Sequence, residues 1–343
     1  MSVTAPLRRR LSVAVALAAA AAVFLTAPGG PVRAEPGDAV GGEGGTKTLA
    51  QVLDSAGRGY LDAKATLDAS KKRQLALNLQ LGAAQSRLDA MLVEVGVVAS
   101  ASYRIGRLST MTALLNSRSP DAFLERAETA ELLAQRDDAK LRELNAARTQ
   151  YLRAKARVDA EVKEQAKQVQ IMRRKKNDAE RALVAVGGRA TGGFVSASSP
   201  IAKPAPRNSD GSWPRESCII EDPTPASGCI TPRTLHALRQ AQAAGFRRYV
   251  SCFRSGGPYE HPKGRACDFS SERNSFGGHA TGSARRYGND LAAYFVRNAD
   301  KLGVLYVIWY RQIWFPGSGW KSYSGSGGDP SSDHTNHVHL SLY

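Results

Sequence analysis

From Leu53 onward apolar residues return every seventh position: Leu53, Tyr60, Leu67, Leu81, Leu88 and Val95 form one row, broken by Gln74. Three residues further on, Ala56, Ala63, Leu77, Ala84, Met91 and Val98 form a second row, broken by Ser70. Two such rows are the seam of a coiled coil, and one helix of this kind cannot bury its stripe alone. A partner follows. Ser119-Pro120-Asp121 combines a capping hydroxyl, a proline suited to the first helical position and an acid near the positive end of the helix dipole. Beyond it Leu144, Tyr151, Val158, Met172, Ala179 and Val186 recur at the same period, with Gln165 as the exception. Between the arms, Tyr103, Ile105, Leu108, Met111, Leu114 and Leu115 make residues 100–118 too apolar for a simple turn and predict a small helical tip. The pattern therefore predicts an antiparallel hairpin of long helices over residues 47–186.

The periodicity then stops. Residues 187–211 carry paired glycines, serines and prolines and are expected to form a flexible linker. Residues 212–343 read as a small α+β domain. In it "TPRTLHALRQAQAAG" is a helix opened by Thr231-Pro232 and ended by Gly245, and Trp309 lies in an apolar strand. The expected fold is multi-domain: an all-α coiled-coil hairpin followed by this smaller unit. Trp309, Trp314 and Trp320 would line a groove, with core packing the favoured reading for Trp309 in its apolar strand.

Three features upstream and in the composition set the chain's address. Arg8, Arg9 and Arg10 precede an apolar run from Leu11 to Thr26, and Val32-Arg33-Ala34 supplies small residues for cleavage after Ala34. Residues 1–34 thus read as a signal peptide, and the Gly-rich residues 35–46 as a disordered start. The expected location is secreted or in the cell envelope, outside the cytoplasmic membrane. The formal net charge of +16 suits anionic partners, and export turns that away from nucleic acid towards anionic wall polymers or a membrane surface. All four cysteines fall in the C-terminal unit, where an even number reads as two disulfides. Three pairings are possible; the shortest loops favour Cys218–Cys229 and Cys252–Cys267. A thiolate zinc site is the alternative, but no CxxC spacing occurs.

All six histidines lie in the last third: His236, His261, His279, His334, His337 and His339. His261 and Asp268 flank a Gly- and Ala-containing stretch, and His337-Val-His339 puts two imidazoles on one face of a strand. Cys267, adjacent to Asp268, would point to the opposite face and stay free for a disulfide. Two imidazoles and one carboxylate suit Zn²⁺ with one position left open, an arrangement used in hydrolysis at neutral pH. His236 reads as structural and His279 as part of a loop near the site.

"HPKGRACDF" resembles the H-x-x-G-x-A-x-D signature of the D-alanyl-D-alanine metallopeptidases. "HVH" resembles the paired histidines of the wider group that includes lysostaphin-type enzymes and hedgehog, and "SCFRS" resembles the S-G-[FY]-R-S segment of the carboxypeptidases. The ordered matches span roughly 90 residues. The coil resembles those of bacterial cell-wall hydrolases and amidase activators, and the chain as a whole is similar to secreted actinobacterial proteins of unassigned role ending "YVIW…W…HVHVS". The resemblance implies a zinc-peptidase-like domain with an antiparallel sheet and His261, Asp268 and His339 as zinc ligands. It further implies that His337 stabilises an oxyanion or relays a proton, and that Arg254 pairs with substrate carboxylate or the oxyanion. Substrates would be peptidoglycan stem or cross-link peptides, and the coil tip would meet a division-machinery protein.

The sequence departs from that pattern at one position. Carboxypeptidases place a Glu three residues before the last histidine ligand; here Asn336 stands there. Asp333 is the available acid and His334 a second candidate for the base. The expected activity is an exported zinc peptidase, either carboxypeptidase or endopeptidase. The rival reading is a non-catalytic wall-binding or regulatory protein whose coil recruits another hydrolase. An anion-binding scaffold is a third class, and a metal-dependent nuclease a remote fourth.

Overall fold

The computed structural model describes residues 47–323 and 328–343. The leader, its cleavage position, the start up to residue 46 and most of the glycine loop at 325–328 lie outside them. No helix among the described residues is long and apolar enough to cross a membrane.

Two helices, α1 (Lys47–Ile105) and α3 (Pro120–Ala185), form the hairpin, with the short α2 (Arg107–Leu115) at its tip. At 1.5 Å per residue the arms run roughly 90–100 Å. Ser119 caps α3 by accepting from the Ala122 N–H at 3.2 Å, with Pro120 in the first turn. The expected seam is the least exposed row along both arms, and its polar exceptions meet one another. Gln165 donates to the Gln74 side chain at 2.9 Å, while the Ser70 hydroxyl donates to Glu161 at 2.6 Å and Arg73 pairs with the same carboxylate. A polar layer of this kind costs some stability and fixes how the helices align, because slipping the register would bury these groups unpaired.

The C-terminal unit is the expected α+β domain. A two-stranded ribbon, β1 (Ile220–Glu221) and β2 (Cys229–Ile230), precedes α4 (Pro232–Ala243). Next come β3 (Val250–Ser251), β4 (Ala266–Ser270), α5 (Gly282–Arg297), the short α6 (Ala299–Leu302), β5 (Val304–Trp309), β6 (Gln312–Phe315), β7 (Gly319–Ser322) and β8 (His337–Leu342). The main sheet is antiparallel with order β3-β4-β8-β5-β6-β7, so the last strand of the chain sits in the middle.

Alternation divides each strand between two faces. Cys267, Phe269, Val338, Leu340, Leu342, Val307 and Trp309 face the domain's own helices, packing on Leu238, Leu291 and Phe295. Gly288 of α5 lets the indole of Trp309 lie against the helix: a Cβ there would stand 2.1 Å from the ring. Trp309 is fully buried and its N–H donates to Asn289, and Trp320 is buried against Phe194, so both are core residues. On the other face, Leu305, Ile308, Ile313 and Phe315 pack on Leu49, Leu53, Ala56 and Leu61 of α1 and on Ala179 and Leu183 of α3. The base of the hairpin is therefore part of the domain's core.

Residues 187–211 differ from the flexible linker expected of them. They form an extended strap whose polar groups are met one after another by the domain. Ser322 N–H donates to Arg189 O at 2.6 Å and Thr191 N–H to Trp320 O at 3.2 Å. The Asn298 amide accepts from Ala202 N–H at 2.8 Å and donates to Pro200 O at 2.9 Å. His236 donates to Lys203 O at 2.9 Å, which gives that histidine a structural role. Ala202 and Ala205 of the strap are themselves buried. Glycine and proline here set an extended path, and side-chain amides hold it.

Candidate metal centre

Both expected disulfides are present, Cys218–Cys229 and Cys252–Cys267. The second ties the residue that follows β3 to β4 on the helix-covered face, which leaves Asp268 directed to the opposite one. Asp268 stands directly across from His339 in the β4–β8 ladder, and Ser270 across from His337. Facing residues of this kind have Cβ atoms about 5 Å apart, so the ladder register alone brings carboxylate and imidazole together.

His261 arrives from a single 3₁₀ turn, His261–Lys263, closed by Gly264 in the left-handed region (φ 67°). A Cβ at Gly264 would lie 2.3 Å from Cys218 Sγ and 2.7 Å from Cys229 O, so only glycine fits beneath the ribbon. Candidate ligand atoms of His261, Asp268 and His339 all lie within 4.8 Å of one another, and all three residues are buried. His261 Nε2 is 3.1 Å from Asp268 Oδ2, and His339 Nδ1 is 2.8 Å from Asp268 Oδ1.

The groups behind these atoms decide which nitrogens face inward. His261 Nδ1–H donates to Cys252 O, leaving Nε2 for the centre. His339 Nε2 meets the Ser341 hydroxyl at 2.7 Å, which serves as donor or acceptor and so accommodates either tautomer. Partners of this type orient ligating imidazoles and increase their basicity. Two imidazole nitrogens, each ring braced from behind, and a carboxylate make a donor set that fits a divalent ion. Burial alone would push Asp268 up. The facing imidazoles of His261 and His337, with hydrogen bonds from His261 and His339, outweigh it and hold the carboxyl well below its usual range.

His337 stands beside this trio, its Nε2 3.4 Å from Asp268 Oδ1. Its other nitrogen meets Asn336 Oδ1 at 2.7 Å. The Asn336 amide is oriented by its own donations to Gly277 O and Ser331 Oγ, at 2.9 and 3.1 Å, so its oxygen must face the imidazole. His337 Nδ1 therefore carries the proton and Nε2 presents a lone pair to the site. Asn336 thus fixes the tautomer of the neighbouring histidine. Burial, opposed by Asp268 and aided by the neighbouring imidazoles and Arg254, lowers His337 to about 4, so it is neutral at pH 7.

Of the other expected site residues, Arg254 is in place, with NH1 3.4 Å from Asp268 Oδ2 and its side chain partly exposed. Asp333 is not turned to the trio. Its carboxylate accepts from Arg311 Nε at 2.9 Å and again from NH2, a pairing that a partner within the β5–β6 turn makes and local sequence does not reveal. His334 is closer: it is fully buried, in the left-handed region (φ 50°), with ring centres 4.8 Å from His337 and 5.7 Å from His339. His279 bonds Thr335 at 2.6 Å at the edge of the same loop.

Two contributors have no motif to announce them. Tyr306 stacks on His339, with ring centres 5.5 Å apart and planes 16° from parallel, and shares its core with the hairpin base. Glu260, next to His261, is buried among Arg265 (2.6 Å), Lys263 (2.9 Å) and Arg58 of α1 (3.4 Å).

Residues 226–338 match the family model described as VldE, C-terminal domain. The match covers about a third of the chain, contains His261, Asp268 and His337, and stops one residue before His339. No curated protein and no solved structure matches.

Proposed function

We propose that the protein is an exported, zinc-dependent peptidase of peptidoglycan peptides. The observation that carries this reading is the convergence of His261, Asp268 and His339 on one buried point, with His337 poised beside it. The two disulfides suit an oxidising compartment outside the cytoplasm, and the resemblance of "HPKGRACDF" and "HVH" to the wall metallopeptidases supplies the substrate class. A divalent ion held there supplies Lewis-acid chemistry, polarising an amide carbonyl and acidifying water. The chain's own residues do the rest. Asp268 contributes the negative charge that favours a cation, and the imidazole of His337 holds or passes a proton at Nε2. Arg254 offers its guanidinium to a substrate carboxylate or to charge developing on the carbonyl oxygen. Tyr306 shields the far side of His339 from water.

A specific observation favours a second reading, a domain that binds wall peptide without cutting it. Asn336 cannot act as a base, and Arg311 neutralises Asp333. One experiment separates the two: metal analysis of the mature chain and of Asp268→Asn, paired with mass spectrometry of digested sacculi. Stoichiometric zinc lost in the variant, with released peptides, supports the peptidase. Zinc without products supports the binding domain. A wild-type chain that takes up no divalent ion sinks both.

A further inference from the structure

On the helix-covered side of the domain, the second half of α4, the turn into β3 and the segment after β4 enclose a recess of about 340 Å³. Arg239, Arg247, Arg248 and Arg273 line it together with Tyr249 and Leu238, and no Asp or Glu does. Among the described residues none of the four arginines forms an ion pair. Two of them are held in position by uncharged partners. Arg247 Nε donates to Gln242 O at 2.9 Å, and Arg248 donates to Ser271 O while its guanidinium lies 4.0 Å over the Tyr287 ring. Arg239 and Arg273 are exposed at the rim.

Four like charges gathered round one hollow repel each other unless a counter-charge enters it. Guanidinium groups present N–H donors in a rigid fork that matches oxyanions. A single carboxylate brings one charge to share among four arginines, whereas a chain of phosphodiesters, each with one charge and two free oxygens, brings a further charge with every repeat. The hollow also favours a group that enters over a flat membrane surface.

We propose that this recess binds the phosphate groups of an anionic polymer outside the cell. The site is separate from the metal centre and does not depend on the peptidase reading. It does lie close to that centre: Tyr249 packs edge-on against Phe276 (ring centres 5.1 Å), and Phe276 against His337 (5.4 Å). A polymer held there keeps phosphate-bearing material two aromatic rings from the ligand cluster.

The test is calorimetric titration of the mature chain with inorganic phosphate, with a soluble glycerol-phosphate oligomer and with vesicles of anionic phospholipid, at physiological salt. Saturable binding of the oligomer is expected. Arg239→Gln with Arg273→Gln should weaken it about tenfold or more, as loss of charge-assisted hydrogen bonds does, without moving the thermal midpoint. The lysine versions keep the charge and lose the fork, so they should fall in between. Arg173→Gln with Arg174→Gln removes equal charge from the exposed hairpin surface and should change affinity less than twofold. Equal weakening by both glutamine pairs would show diffuse attraction and overturn the proposal. So would absence of saturable binding to either phosphate probe, or binding to the vesicles alone.

Discussion

The two faces of the six-stranded sheet are covered in different ways. One face is closed by helices that lie next to the strands in sequence, α4, α5 and α6, through Leu238, Leu291, Phe295 and Leu302. The other is closed from the opposite end of the chain, by Leu49, Leu53 and Leu61 of α1 and Leu183 of α3. That second face also bears Asp268, His337 and His339, so the ligand cluster sits at the border of the hairpin's footprint. Tyr306 and the Glu260–Arg58 pair mark the border itself. The hairpin base belongs to the domain both energetically and spatially, while the distal arm leaves Leu75, Leu79, Val93, Tyr103 and Leu115 exposed.

The largest test of this contrast is removal of the hairpin. Residues 187–343 alone would expose Leu305, Tyr306, Ile308, Ile313 and Phe315. At about 1.5–3 kcal/mol each, these rival the whole ~5–15 kcal/mol stability of a domain. Calorimetry of the fragment should show no cooperative transition; a sharp one near that of the full chain would refute the shared core. Leu53→Ala, at a fully buried base position, should cost about 2–5 kcal/mol by denaturant titration.

Acid tests the ligand face in metal-free protein. His337 at about 4, and His334 lowered in the same direction, lie below the ordinary histidine value, so the folded state binds fewer protons than the unfolded one. Their contribution is complete above pH ~6.5 and is lost as pH falls towards 4, about 3 kcal/mol for His337 alone. Asp268 extends the loss to lower pH, because its carboxylate form is favoured by folding. Denaturant midpoints from pH 7 to 4.5 should fall steadily; a flat profile contradicts the burial of neutral imidazoles. Arg58→Met should cost about 1 kcal/mol, since Lys263 and Arg265 still meet Glu260. Leu133→Ser, on the exposed arm, should stay within ~0.5 kcal/mol.

Much of this was legible because the signals are local. The seven-residue rows and the Ser119-Pro120 start mark the hairpin without reference to anything distant. The i, i+2 spacing of His337 and His339 places both on one face. What escaped depends on pairing across the chain. Gln74, Gln165 and Ser70 read as separate flaws in the rows until the hairpin closes and joins them into one layer. Asp333 read as a free acid because Arg311 reaches it only through the β5–β6 turn. The strap's composition suggested freedom, yet Asn298 and Gln240 capture its backbone amides. Docking of the hairpin base left one trace: Ala50, Leu61 and Ala65 are buried outside the two rows, widening the apolar face near the base alone.

The cross-link between Cys252 and Cys267 has a consequence for when the ligand cluster comes into being. The carbonyl that orients His261 belongs to Cys252, and Asp268 follows Cys267 directly, so both ligands hang from the two half-cystines. A chain kept reduced has nothing covalent to hold these segments at their mutual distance. Uptake of an added divalent ion should therefore depend on prior oxidation, which makes thiol chemistry the step that sets when the cluster assembles.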